Sequence, residues 1–105
     1  MTTRTMLAGL IPVGFETITL SDSTAIGLNS TNRGASVFDL SIETEHGRFR
    51  VDGTDPTLTT GVVLQKDNFY RFEGFNGTVN LKFQRTTGTC KISVQTYKVI
   101  GDRAN

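Results

Sequence analysis

Tryptophan is absent from these 105 residues, cysteine and histidine occur once each, and proline occurs twice. A single cysteine, Cys90, excludes an intrachain disulfide and a thiolate metal cluster, and it suits a reducing cytoplasm. Charge of one sign is also missing. Eleven Lys and Arg against ten Asp and Glu leave a net charge of +1, without the basic surplus that a phosphate backbone demands, so no direct nucleic-acid partner is expected. Long hydrophobic runs are absent too: the stretch Met6-Leu7-Ala8-Gly9-Leu10-Ile11-Pro12-Val13 is short and broken by Gly9 and Pro12. A secretory signal or a membrane span needs a longer unbroken run, so neither is expected. The sequons at Asn29-Ser30-Thr31 and Asn76-Gly77-Thr78 then carry no chemical meaning. No phosphate-binding P-loop, dinucleotide fingerprint or Gly-x-Ser-x-Gly elbow occurs. No stretch of useful length has helical periodicity.

What is present is threonine, seventeen times, with eleven glycines, a composition of strands and turns. Phe38, Leu40 and Ile42 alternate with Asp39, Ser41 and Glu43, the pattern of a sheet with one solvated face. Phe49 and Val51 alternate in the same way with Arg48, Arg50 and Asp52. The turn Glu45-His46-Gly47 between them predicts a hairpin. Asp52-Gly53 supplies a positive-φ turn, Pro56 removes a strand donor, and Val62-Val63-Leu64 resumes as a short strand. Phe69, Arg71 and Glu73 oppose Tyr70 and Phe72 in the next. A last hairpin is expected between Val79, Leu81, Phe83 and Cys90, Ile92, Val94 across the turn at residues 85–89. Near the start, Glu16, Ile18 and Leu20 oppose Phe15, Thr17 and Thr19, and the pattern does not assign the inner face.

Seven or eight short strands at regular spacing define an all-β protein. The fold expected is an antiparallel β-sandwich, jelly-roll-like. An immunoglobulin-like sandwich and a closed barrel differ from it only in strand pairing, which the pattern does not fix. The length suits one domain. We place an extended N-terminal arm at residues 1–14, one sandwich at 15–100 and a tail at 101–105. The arm lacks strand-like alternation and carries Met6, Leu7, Leu10 and Ile11, suited either to docking on a neighbouring subunit or to lying along its own sandwich. Tyr97 and Val99 turn the outer side of the last strand apolar, which fits self-association as a dimer or trimer.

Reactive chemistry is sparse. Cys90 shares the apolar side of its strand with Ile92 and Val94, where a thiol behaves as a small hydrophobe. His46 lies in a turn beside Glu43 and Glu45, without a second His or Cys at ligand spacing. Asp52 and Asp55 flank Gly53 as in a calcium loop, but the rest of an EF-hand is missing and turn chemistry accounts for them. No enzyme, cofactor, metal or membrane partner is expected. A sugar platform would have to use Tyr70 or Tyr97.

The run Arg48-Phe49-Arg50-Val51-Asp52-Gly53-Thr54-Asp55-Pro56-Thr57, followed by Gly61 and the aromatic strand at residues 68–72, resembles a group of small structural proteins of tailed-bacteriophage virions. More loosely the likeness extends over residues 35–99, about two thirds of the chain. The resemblance implies a rigid sandwich made in the bacterial cytoplasm and carried on the capsid surface. As a cement or decoration protein it would bind the major capsid protein lattice in many copies and stabilise the head. Related roles are a head–tail connector or a tail component, and a carbohydrate-binding module is the distant alternative. Arg48 and Arg50 would supply polar contacts at the start of the motif.

Overall fold

The computed structural model describes residues 9–73 and 80–99. Met6, Leu7, Val79, the second sequon, most of the arm and the tail at 101–105 lie outside the described residues. Among the described residues eight strands follow one another: β1 (Leu10–Leu20), β2 (Ile26–Gly27), β3 (Val37–Glu43), β4 (Gly47–Arg50), β5 (Val62–Leu64), β6 (Phe69–Phe72), β7 (Lys82–Arg85) and β8 (Cys90–Val99). No α-helix occurs among the described residues. Two antiparallel four-stranded sheets form the sandwich, in the orders β1-β8-β3-β6 and β2-β7-β4-β5.

The pairing is nested. β1 pairs with β8, β2 with β7, β3 with β6 and β4 with β5. This is one long hairpin, with its bend between β4 and β5, rolled so that alternate pairs fall in opposite sheets. Such wrapping is a jelly roll, the arrangement among those open to the sequence that the pairing selects. Two expected hairpins are corrected by it. β3 and β4, joined by only three residues, lie in different sheets, and so do β7 and β8. Gly47 permits the first short crossing: a Cβ there would stand 3.2 Å from Cys90 Sγ in the opposite sheet.

The inner faces follow the alternation. Ile18, Leu20, Phe38, Leu40, Ile42, Leu64, Leu81, Phe83, Cys90, Ile92 and Val94 meet in one buried cluster. Each large side chain of this kind contributes about 1.5–3 kcal/mol by leaving water. Phe72 stacks on Phe38 with ring centroids 4.9 Å apart, and Phe49 meets Phe72 edge-on at 5.3 Å, joining the two sheets at one end. β1 starts earlier than expected: Leu10 to Gly14, assigned to the arm, already pair with β8. A bulge between Pro12 and Gly14 shifts the register there and disguises the alternation. Beyond it, Ile18 and Leu20 face the core while Phe15 is 60% exposed.

Candidate functional site

The motif from Arg48 to Gly61 folds over the outer face of β4 and β7. Arg48, on that face, donates from Nε to the Leu58 carbonyl (3.1 Å) and from Nη1 to the Gly61 carbonyl (3.0 Å). Its cation thus serves as a clamp on the returning loop. Asp52 accepts two hydrogen bonds from Arg50, at 3.1 and 2.5 Å, and one from the Thr54 amide at 3.3 Å. The Arg50 guanidinium and the Thr54 amide lower the Asp52 carboxyl to about 2. Gly53 takes φ 85°, as the turn requires. Asp55 pairs with Lys82 Nζ at 3.3 Å. Each acid of the calcium-like pair therefore faces a cation of its own chain. Pro56 in the loop and Gln84 on β7 are buried, Gln84 Oε1 accepting from the Arg85 amide at 2.8 Å.

Where the loop leaves and rejoins the sheet, Phe49, Arg50, Val51, Asp52, Thr60, Gly61 and Val62 line an open groove of about 400 Å³. Val51 and Val62 are exposed in it, Val62 by 58%, and Val63 is exposed on the other face of β5. The sequence placed Val51 on the buried side with Phe49, but β4 ends at Arg50 and Val51 lies beyond it at the groove.

On the outer face of the other sheet, Asp39 accepts from Arg71 Nε (2.6 Å), Arg71 Nη2 (2.9 Å) and Tyr97 Oη (3.1 Å). The Arg71 guanidinium also lies over the Tyr97 ring, 5.6 Å from its centroid. Hydrogen bonding to Arg71 first, and then to Tyr97, holds the Asp39 carboxyl below its ordinary value despite partial burial. Burial first, then the bond to Asp39, raises the Tyr97 hydroxyl. A depressed carboxyl stabilises the fold above the unfolded value of about 3.9 and loses that contribution as pH falls through the lower folded value. Asp39→Asn is therefore expected to cost about 1 kcal/mol at pH 7, Arg71 being exposed and screened. It should also flatten the loss of stability below about pH 4. Urea midpoints of the two proteins at pH 6 and pH 3 check this.

Of the expected contact residues, Leu10 and Val99 are cross-strand partners at one end of the sandwich, with Ile11 beside them and all three exposed. Tyr97 shares the face of Leu10 and Val99, opposite to Ile11, and is tied to Asp39 and Arg71. Arg48 and Arg50 lie on the opposite sheet and hold the loop. The structure thus spreads the expected site over two faces. Tyr70 is half-buried against the core and its hydroxyl accepts the Gln65 amide at 2.9 Å, so it offers no sugar platform. Phe15 and Phe69, 60% and 65% exposed, are the outward aromatics that the sequence reading passed over. Their signal was the alternation itself, since Phe15 shares a face with Thr17 and Thr19, and Phe69 with Arg71.

The remaining reactive groups are committed to the fold. Cys90 is buried, and burial, with Glu45 nearby, pushes its thiol up to about 11. His46 Nδ1 accepts the Lys66 amide at 3.0 Å, linking the β3–β4 and β5–β6 turns. Among the described residues no three His, Cys, Asp or Glu side chains gather into a group able to hold a metal ion. No described helix is long and apolar enough to cross a membrane. Compared with family models, curated proteins and solved structures, the chain matches none.

Proposed function

We propose that this chain is a structural protein of a phage virion, a cement or decoration protein that binds the capsid lattice and stabilises the head. The observation that carries the reading is the spread of exposed apolar side chains over a small rigid sandwich. Leu10, Ile11, Phe15 and Val99 mark one edge, Val51, Val62 and Val63 another, and Phe69 a third. A protein with one small-molecule ligand concentrates its apolar contacts in one cavity, whereas one that bridges several neighbours needs them on several sides. Each contact then needs only modest affinity, because simultaneous engagement multiplies the effect. The resemblance of residues 48–72 to small virion proteins points the same way, and here that motif forms a braced loop beside an apolar groove.

The test mixes the purified chain with capsids assembled from the major capsid protein encoded in the same genome. Stoichiometric co-sedimentation and capsids that withstand higher temperature are expected, with occupancy reduced at least tenfold by Val62→Lys. Binding to isolated portal or tail assemblies in place of capsid faces would move the protein to the head–tail junction. Binding to neither would overturn the reading.

A further inference from the structure

We infer that β1 is a self-association edge: two copies pair their β1 strands antiparallel about a dyad at Thr17, joining two four-stranded sheets into one of eight. Among the described residues the sandwich has four edge strands, and their lengths separate them. β2, β5 and β6 have two, three and four residues, while β1 has eleven. Short edges offer few backbone groups to a newcomer, and a long regular edge offers a row of them.

Of the devices that keep edges apart, β1 has Pro12, a bulge and one inward-pointing charge, and it lacks an edge lysine. It contains no Lys or Arg, and its one charged residue, Glu16, is turned inward. There Glu16 Oε2 accepts the Asn29 amide at 2.9 Å and Asn32 Nδ2 at 2.7 Å. Pro12 and the adjoining bulge blunt only the first part of the strand. From Gly14 to Leu20 the register with β8 runs without interruption.

That regular run has its centre at Thr17, and antiparallel pairing about it is self-complementary. Thr17 meets Thr17 of the second copy, Phe15 meets Thr19, and Glu16 meets Ile18, so no like charges stand directly opposite. Thr–Thr and aromatic–β-branched pairs both favour antiparallel strands. Facing residues are of equal parity, so the outer faces of both sheets stay on one side and both cores remain intact. Phe15, left 60% exposed in one chain, gains a neighbour across the junction. The result is an isologous two-fold contact, the commonest kind between identical chains.

Sedimentation equilibrium of the full chain, with two variants at the dyad, tests this. A reversible dimer is expected for the native chain. Thr17→Lys sets two ammonium groups face to face and should weaken that dimer at least tenfold, with the melting temperature in dilute solution unchanged. Thr17→Cys should form an interchain disulfide with diamide, since directly opposed Cα atoms lie about 4.5–5.5 Å apart. The native chain, whose Cys90 is buried, should form none. A monomer at all concentrations would overturn the inference. So would a dimer that Thr17→Lys leaves intact and Thr17→Cys does not cross-link. The inference stands apart from the virion reading: dimers that ignore capsids would overturn that reading and leave β1 pairing in place.

Discussion

Phe38→Ala is expected to cost about 3–5 kcal/mol, as full truncation of a buried aromatic does. A domain of this size has roughly 5–15 kcal/mol in all. Phe38 is fully buried in β3, one of the two central strands of its sheet, and its ring stacks on Phe72 within 5° of parallel. Phe72 in turn supports Phe49, which lines the apolar groove. Removing the Phe38 ring therefore unseats both and opens the groove toward the core. Urea unfolding should show a midpoint lowered by a large fraction of its native value. A loss below about 1 kcal/mol would mean that the two sheets do not close over this stack.

The second large effect is expected at Gly61. Its φ of 137° lies where L side chains rarely go, and an added Cβ would stand 3.1 Å from the Cβ atoms of Arg48 and Pro56 and 3.2 Å from the Phe49 carbonyl. Backbone strain of that kind costs about 1–3 kcal/mol, and three close neighbours, one of them main chain, raise it. Gly61→Ala should thus destabilise by about 3 kcal/mol or displace the loop from its Arg48 clamp. Gly34→Ala is the matched control, because nothing lies within 4 Å of its Cβ position and its φ is unexceptional. Thermal unfolding of the two variants side by side separates these expectations. A Gly61→Ala protein as stable as the control would mean that the loop does not return under Arg48 as described.

Strand faces were legible in the sequence and strand partners were not. The alternation of Phe38, Leu40 and Ile42 reports one apolar face, and both sheets of a sandwich turn such a face inward. Nothing in that pattern tells whether the next alternating segment sits beside the first or across the core from it. Three residues between β3 and β4 therefore read as a hairpin turn, although they carry the chain from one sheet to the other. The start of β1 was hidden for a different reason. One extra residue at the bulge, Val13, inverts the apparent period, so Leu10 and Pro12 look unrelated to Phe15 and Thr17. The sequence marks Arg48 and Arg50 as polar contacts, but their partners, the Leu58 and Gly61 carbonyls and Asp52, depend on how the loop returns. The groove was invisible for the same reason, since it joins side chains from the start of that loop to others from its end.

The nested pairing also governs how the chain is made. Sheet one needs β1 beside β8, so the first described strand waits for residues 90–99 to leave the ribosome before it has a neighbour. β3 can pair with β6 earlier, but it joins β1 in one sheet only when β8 arrives between them. Until then Ile18 and Leu20 of β1 have no neighbouring strand, and a nascent chain offers them to any apolar surface nearby. Topologies dominated by such distant pairings fold in milliseconds to seconds. Supply of the folded protein during a burst of synthesis would then be paced by the arrival of its last strand.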